Sequence, residues 1–105
     1  MNSNAKGKAG EREWARWLTA EGFPARRGQQ FKGGNDSPDV ICESLPTLHA
    51  EVKRVERLNI HEAMDKAKDE AGELTPYVAH RKNNHDWLVT MRAEDWIALQ
   101  REALT

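Results

Sequence analysis

Two short segments decide the fold of this chain: Pro38-Asp39-Val40-Ile41-Cys42 and Leu48-His49-Ala50-Glu51-Val52-Lys53. The second segment alternates apolar residues at 48, 50 and 52 with polar residues between them, which predicts a half-buried β-strand. The first is a short apolar run that begins at a proline, as a strand can. Residues 43–47 read Glu-Ser-Leu-Pro-Thr, a composition typical of a turn. The sequence therefore predicts two neighbouring strands.

A hairpin centred on Leu45 would pair these strands in antiparallel register and place Asp39 opposite Glu51. Opposed residues of such a pair point to the same face, with Cβ atoms about 4.5–5.5 Å apart. Lys53 follows Glu51 by two residues and therefore shares its face. A shift of one residue in the register would undo the arrangement. With the centred register, we expect the two carboxylates and the lysine to converge.

A third carboxylate is expected from the helix before these strands. The pattern predicts a helix over Gly10–Ala20, because a glycine and a proline follow it closely. At helical spacing Glu11 falls within the apolar face with Trp14 and Leu18, whereas Glu13 falls outside it. A carboxylate on a buried face needs a partner, because an isolated buried charge is costly.

The rest of the chain reads as two more helices and two more strands. Asn59 and Glu62 have the form of a capping box before an amphipathic helix that ends at Gly72. Two strands, Tyr77–His80 and Trp87–Met91, and a last helix, Ala93–Ala103, complete the order α-β-β-α-β-β-α. Five residues are expected to contribute to the core from the first and last helices: Trp14, Trp17, Trp96, Leu99 and Ala103. The predicted class is α/β, with a mixed central sheet flanked by helices.

Composition indicates one globular domain spanning residues 1–105, with residues 1–9 as a flexible basic arm. Charged residues make up 31% and hydrophobic residues 38% of the chain, and the apolar runs are too short to span a membrane. The N-terminus has no apolar stretch of the signal-peptide type, and Cys42 is the single cysteine. We therefore expect a cytoplasmic protein.

The charge is unevenly distributed, although the formal net charge is only −1. Residues 1–35 carry seven basic against three acidic residues, whereas residues 61–73 carry five acidic residues against two lysines. Such asymmetry permits a basic face that binds a phosphate backbone. Candidate DNA contacts lie in the basic N-terminal part and in the glycine-rich loop before Asp39: Lys6, Lys8, Arg26, Arg27, Gln29, Gln30 and Lys32.

Three converging carboxylates need a cation, a shared proton or a displaced geometry. Two carboxylates 5 Å apart repel each other by roughly 3 kcal/mol at an effective dielectric constant near 20. A divalent metal relieves this repulsion most simply, and Mg²⁺ prefers oxygen ligands. Asp39, Glu51 and the backbone carbonyl of Val52 are the candidate ligands, with Glu11 binding directly or through water. Lys53 is a candidate for orienting a water or stabilising negative charge.

At these positions the sequence resembles the PD-(D/E)XK nucleases. Pro38-Asp39 followed by Glu51-Val52-Lys53 is similar to their signature. Two further segments are similar to the start of archaeal-type Holliday junction resolvases and their phage relatives: Lys6-Gly7-Lys8-Ala9-Gly10-Glu11-Arg12-Glu13 and Gly22-Phe23-Pro24-Ala25-Arg26-Arg27. The resemblance covers roughly residues 5–91. It assigns the catalytic positions of that family to Glu11, Asp39, Glu51 and Lys53.

The resemblance implies a restriction-endonuclease-like core and an endonuclease that uses Mg²⁺ or Mn²⁺. It implies a homodimer that cuts two strands of a four-way DNA junction during recombination or repair, in a phage-infected host if the gene is viral. The loop carries Gln29-Gln30 and Gly33-Gly34 where archaeal members tend to have serines, and the helix after Met91 is an added element. Two alternatives stay open: a related nuclease for linear, flapped or damaged DNA, and a non-catalytic DNA-binding module on the same fold.

Overall fold

The structure, a computed structural model, describes residues 3–28 and 38–105, with side chains from residue 6 onward. Its elements in chain order are α1 (Ser3–Ala20), β1 (Arg26–Arg27), β2 (Val40–Ile41), β3 (Leu48–Arg54), α2 (Ile60–Ala71), β4 (Thr75–Arg81), β5 (Leu88–Thr90) and α3 (Ala93–Ala103). The class is mixed α/β, as the sequence predicts, with one short strand, β1, added to the expected order. Within the described residues, no helix is long and apolar enough to cross a membrane.

The main sheet is mixed and has the strand order β3-β4-β5. Strands β3 and β4 run parallel, with Glu51 beside Val78, because α2 crosses over between them. Strand β5 pairs antiparallel with β4 and forms the edge. A separate two-stranded ribbon joins β1 to β2, with Arg27 beside Val40. The fold thus keeps β3 at one edge of the sheet, next to the ribbon.

Helices α1 and α2 cover opposite faces of the sheet. Alternate residues of β4 belong to two apolar clusters: Tyr77 packs in the cluster of α1, and Val78 packs in the cluster of α2. On the α1 side, the indole Nε1 of Trp14 donates a hydrogen bond to the hydroxyl of Tyr77 at 3.1 Å. On the α2 side, the buried residues of the helix are all alanines, including the fully buried Ala67. Small side chains let the helix backbone approach the sheet closely.

Local sequence signals set the bounds of α2. The side chain of Asn59 accepts a hydrogen bond from the Glu62 N–H at 3.1 Å, and Gly72 ends the helix with a positive φ of 59°. Both ends are confirmed as predicted. The bounds of α3 are confirmed as well. In contrast, the predicted start of α1 near Gly10 is wrong: the helix begins at Ser3 and includes residues 3–9, which the sequence predicts as a flexible arm.

The predicted hairpin is also wrong. Strand β2 is only two residues long and pairs with β1, while the ladder of β3 is formed with β4. Asp39, which precedes β2, nevertheless contacts β3: its backbone N–H donates a hydrogen bond to the Ala50 carbonyl at 2.9 Å. The glycine-rich stretch was expected to be a loop, but Arg26 and Arg27 at its start supply a short strand instead.

The expected burial of α3 does not occur. No residue of α3 is buried, and Trp96 and Leu99 are 54% and 42% exposed. The helix follows the edge strand β5 and packs extensively against no other element of the described residues. Trp17 is also more exposed than expected, although its ring stacks on Trp14 with a centroid distance of 5.1 Å. The apolar residues of α3 that the sequence predicts as core are present on the helix, but none of the described residues buries them.

Close packing of α2 on the sheet gives a stability prediction. Ala67→Leu should lower the free energy of unfolding by about 1–3 kcal/mol, because Ala67 is fully buried and a larger side chain would overpack the contact between α2 and the sheet. The control is Ala98→Leu, the same substitution on the exposed α3, which should change it by less than about 0.5 kcal/mol. Urea unfolding followed by circular dichroism measures both. Equal effects would contradict the tight contact between α2 and β4.

Candidate active site

A cleft of about 460 Å³ lies where α1, the β1–β2 ribbon, β3 and α2 meet. It brings together the four residues that the sequence placed in a catalytic site: Glu11, Asp39, Glu51 and Lys53. Its remaining lining comes from the N-terminal part of α1, the end of β3, and one residue each of β1 and α2: Lys6, Gly7, Lys8, Arg27, Val52, Arg54, Val55 and Lys66. Three carboxylates therefore face a rim of basic side chains.

Asp39 is held by three hydrogen bonds, two with the edge of β3 and one with the residue that follows β1. Its N–H donates to the Ala50 carbonyl, its own carbonyl accepts from the Gly28 N–H at 2.8 Å, and its Oδ2 accepts from the Val52 N–H at 2.9 Å. The Asp39 carboxylate thus accepts the hydrogen bond from the Val52 N–H that the backbone of a neighbouring strand would otherwise accept. Because the N–H and C=O of a strand residue project to the same edge, the Val52 carbonyl lies at this edge too.

Two glycines permit the close approaches around the carboxylates. A Cβ on Gly28 would lie 2.1 Å from the Pro38 carbonyl oxygen, so only glycine allows the ribbon to close there. A Cβ on Gly10 would lie 2.6 Å from the Cβ of Arg54, where α1 crosses the end of β3. The neighbouring Glu11 is thereby brought to the cleft.

Glu11 makes an ion pair with Arg27 of β1. The guanidinium Nε donates to Oε1 of Glu11 at 2.8 Å, and the Glu11 side chain is only 16% exposed. Burial, followed by the negative charge of Asp39, raises the pKa of Glu11, and Arg27 opposes that rise. Glu13 points elsewhere, as the helical spacing predicts: it contacts Arg54 and Arg81 at 3.2 and 3.0 Å.

Glu51 is the most buried carboxylate of the site, with 1% of its surface exposed. Neither of its oxygens receives a hydrogen bond of ordinary geometry from the described residues, although the ammonium groups of Lys66 and Lys53 lie 3.0 and 3.7 Å from Oε2. Burial, and then the charge of Asp39, raise the pKa of Glu51 to about 7, against the opposing effect of Lys66. Burial therefore favours the protonated form of Glu51 at a higher pH than for an exposed glutamate, even with the two lysines nearby.

Lys66 is the site residue that sequence reasoning missed. It lies on α2, which the sequence predicted correctly, next to the buried Ala67. Only the packing of that helix on the sheet shows that its side chain reaches Glu51. The pKa of Lys66 is raised. Burial acts to lower this pKa, but contact with Glu51 and the charges of Asp39 and Glu70 outweigh the effect of burial. The available signal was a lysine beside the buried row of a helix that follows the Glu-Val-Lys strand.

The candidate DNA contacts separate into three groups. Lys6 and Lys8 are exposed and line the cleft, as does Arg27, which also pairs with Glu11. Arg26 lies away from the cleft and contacts Glu43 at 3.1 Å. Gln29, Gln30 and Lys32 lie outside the residues that the structure describes.

A divalent metal fits the chemistry of this donor set. In residues 3–28 and 38–105, no group of three or more His, Cys, Asp and Glu side chains is already arranged to hold a metal ion. The buried oxygens of Glu51 nevertheless receive no hydrogen bond from the part of the chain that the structure describes, and Asp39 and the Val52 carbonyl supply hard oxygen atoms at the same edge. These three groups could hold the metal, with Glu11 lining the same cleft.

The raised pKa of Glu51 predicts a pH-dependent stability difference. The folded state holds this proton up to about pH 7, whereas the unfolded chain releases it near pH 4.5, so stability due to Glu51 falls as the pH rises through that range. In EDTA, Glu51→Gln should therefore gain up to about 3 kcal/mol relative to the parent protein between pH 4.5 and 8. Urea unfolding measures the difference, with the exposed Glu73→Gln as control. A constant difference would contradict the raised pKa.

Comparisons with known proteins agree with this architecture. The family model of the archaeal Holliday junction resolvases (Hjc) matches residues 2–102. The fold is similar to that of Archaeoglobus fulgidus Hjc, a Holliday junction resolvase from an archaeal hyperthermophile, with a TM-score of 0.59 and 24% sequence identity over 82% of this chain and 72% of that chain. No curated protein sequence gives a significant match. The chain belongs to the archaeal Holliday junction resolvase family and is a structure-selective junction endonuclease that acts in DNA recombination and repair.

Proposed function

We propose that this resolvase hydrolyses phosphodiester bonds of a four-way junction with Mg²⁺, or Mn²⁺ in its place. Asp39, Glu51 and the Val52 carbonyl would hold the ion, and Glu11 would support it directly or through water. The observation that carries the proposal is the carboxylate of Glu51, buried beside Asp39 in a cleft with a basic rim. Resolvase nucleases generally use divalent metals, which agrees with this choice.

When bound, the metal supplies Lewis-acid stabilisation of negative charge at the phosphate. The chain supplies the rest. Lys53, whose side chain is 36% exposed, lies on the face of Glu51 and is placed to orient the attacking water and to stabilise the charge of the transition state. Arg27 of β1 orients Glu11 of α1 through its ion pair.

The basic rim accounts for binding to the DNA backbone. Lys6 and Lys8 extend from α1 beside the carboxylates, where a phosphate chain would otherwise be repelled by three acidic groups. Such contacts position the duplex and carry no sequence information by themselves. The selection of a junction over a linear duplex would then depend on the shape of the DNA. Action on DNA also supports our expectation of a cytoplasmic location.

Cleavage of a labelled four-way junction tests the catalytic proposal. The protein should cut the junction in Mg²⁺ and not in EDTA, and a linear duplex of matching sequence should be cut much more slowly. Glu51→Gln should reduce the cleavage rate by roughly three orders of magnitude, because the metal supplies several kcal/mol of transition-state stabilisation. Denaturing gels of both strands give the rates.

The control for this experiment is Glu73→Gln, which removes one carboxylate from an exposed position beyond α2 and should cut at the parent rate. Equal rates on junction and linear duplex would contradict selection of the junction. Cleavage in EDTA would contradict the need for a metal. Binding without any cleavage in Mg²⁺ and Mn²⁺ would reduce the protein to a binding module.

We also propose that the protein is a homodimer whose subunits meet through α3 and the edge strand β5. These two elements carry five exposed large apolar residues: Leu88, Val89, Trp96, Ile97 and Leu99. Trp96 and Leu99 are three residues apart and lie on the same side of α3. In a two-fold pair, this apolar side of one copy would face the same side of the other. A second copy would therefore bury the apolar side of α3 that the described residues leave exposed.

The dimer surface can be tested with one tryptophan substitution. Trp96→Ala should raise the dissociation constant of the dimer by at least about 30-fold, because a central tryptophan commonly contributes 2 kcal/mol or more. Sedimentation equilibrium measures it. Trp17→Ala, on an exposed tryptophan of α1, is the control and should leave the dimer intact. A monomeric parent protein, or equal weakening by both variants, would contradict this interface.

A further inference from the structure

Lys66 occupies an unusual position for a residue outside the nuclease signature. Its ammonium nitrogen lies 3.0 Å from Oε2 of Glu51, closer than that of Lys53 at 3.7 Å. Two lysines from different elements, α2 and β3, therefore approach one oxygen of a buried carboxylate. This oxygen also belongs to the group that the proposed metal would use.

The contact has a clear physical cause. An ionised carboxylate that is 1% exposed, with no hydrogen bonds of ordinary geometry from the described residues, loses most of its hydration and needs a neighbouring positive charge. Lys66 supplies this charge at the shortest distance. In the absence of a metal it acts as the internal cation of Glu51.

A divalent ion on Asp39 and Glu51 would repel this ammonium group. Two positive charges a few ångströms apart repel by several kcal/mol at the effective dielectric constant of a partly exposed site. Lys53 sits two residues from Glu51 on the same strand, so its reach is limited. The Lys66 side chain is 50% exposed, against 36% for Lys53, so Lys66 has more room to turn outward.

Outward rotation would bring Lys66 to the basic rim of the same cleft, near Lys6, Lys8 and Arg27. A phosphate of bound DNA is the anion available there. We propose that Lys66 is a second functional lysine, which pairs with Glu51 in the metal-free protein and transfers to a DNA phosphate when the metal binds. This role rests on the proposed metal site, and it makes metal binding strengthen DNA binding through one identifiable side chain.

The experiment measures binding of a labelled four-way junction in EDTA and in Ca²⁺, which also prefers oxygen ligands. Denaturing gels check that the strands stay intact. The variants are Lys66→Met and Lys68→Met, which remove the same charge from the same helix, although Lys68 does not line the cleft. In EDTA the two variants should bind the junction with equal affinity, because each has lost one positive charge from the same helix. In Ca²⁺, Lys66→Met should bind about tenfold more weakly than Lys68→Met.

The salt dependence separates a phosphate contact from a structural effect. In Ca²⁺, the slope of log Kd against log salt concentration should be shallower by about 0.9 for Lys66→Met, as expected for one lost phosphate contact. In EDTA the slopes of the two variants should agree. Lys66→Arg, which keeps the charge, should restore most of the affinity in Ca²⁺. Thermal unfolding by circular dichroism in EDTA checks that each variant is folded.

Three results would overturn the inference. If Lys66→Met loses tenfold in junction affinity relative to Lys68→Met in EDTA as well as in Ca²⁺, Lys66 contacts DNA permanently. If the two variants have equal affinity in both conditions, Lys66 does not contact DNA. The third result comes from calorimetry, which measures metal binding to the DNA-free parent protein. If neither Ca²⁺ nor Mn²⁺ binds, the proposed metal site fails and the role of Lys66 fails with it. If the metal binds but Lys66→Met behaves as Lys68→Met, only the role of Lys66 fails.

Discussion

The burial of the Glu51 carboxylate is the constraint on which the rest of the structure depends. Strand β3 lies between α1 and α2, so a polar side chain in its middle loses its hydration. This burial has two consequences: Lys66 and Lys53 bring positive charge to the carboxylate, and the pKa of Glu51 is raised. An apolar residue would be more stable at this point of the core, so a buried glutamate costs stability.

The same constraint explains how the β1–β2 ribbon is joined to the main sheet. Asp39 uses its backbone N–H to bind the edge of β3 and its carboxylate to accept from the Val52 N–H, so a proposed metal ligand is also a structural contact. Gly28 is required where the ribbon closes on Pro38. The edge of β3 is thereby protected from pairing with another chain, and both carboxylates are held near one another against their mutual repulsion.

Local signals predicted most of the fold, and non-local packing accounts for what was missed. The cap at Asn59 and the stop at Gly72 gave α2 its bounds, because those contacts lie within a few residues. The strand containing Glu51 was predicted from alternation alone. Its partner was not, because the parallel ladder with β4 joins residues about 27 positions apart and leaves no local mark. The glutamate and lysine of the signature were therefore found without the correct strand pairing.

Lys66 and α3 show why a periodic pattern does not define a site or a core. The pattern of α2 placed its alanines on the buried face, but the direction in which Lys66 extends depends on how the helix crosses β3 and β4. The pattern of α3 marked Trp96 and Leu99 as an apolar face, and this face exists, yet nothing within the described chain covers it. Amphipathicity shows that a face requires burial, whereas only tertiary structure shows whether the same chain or a second copy provides it.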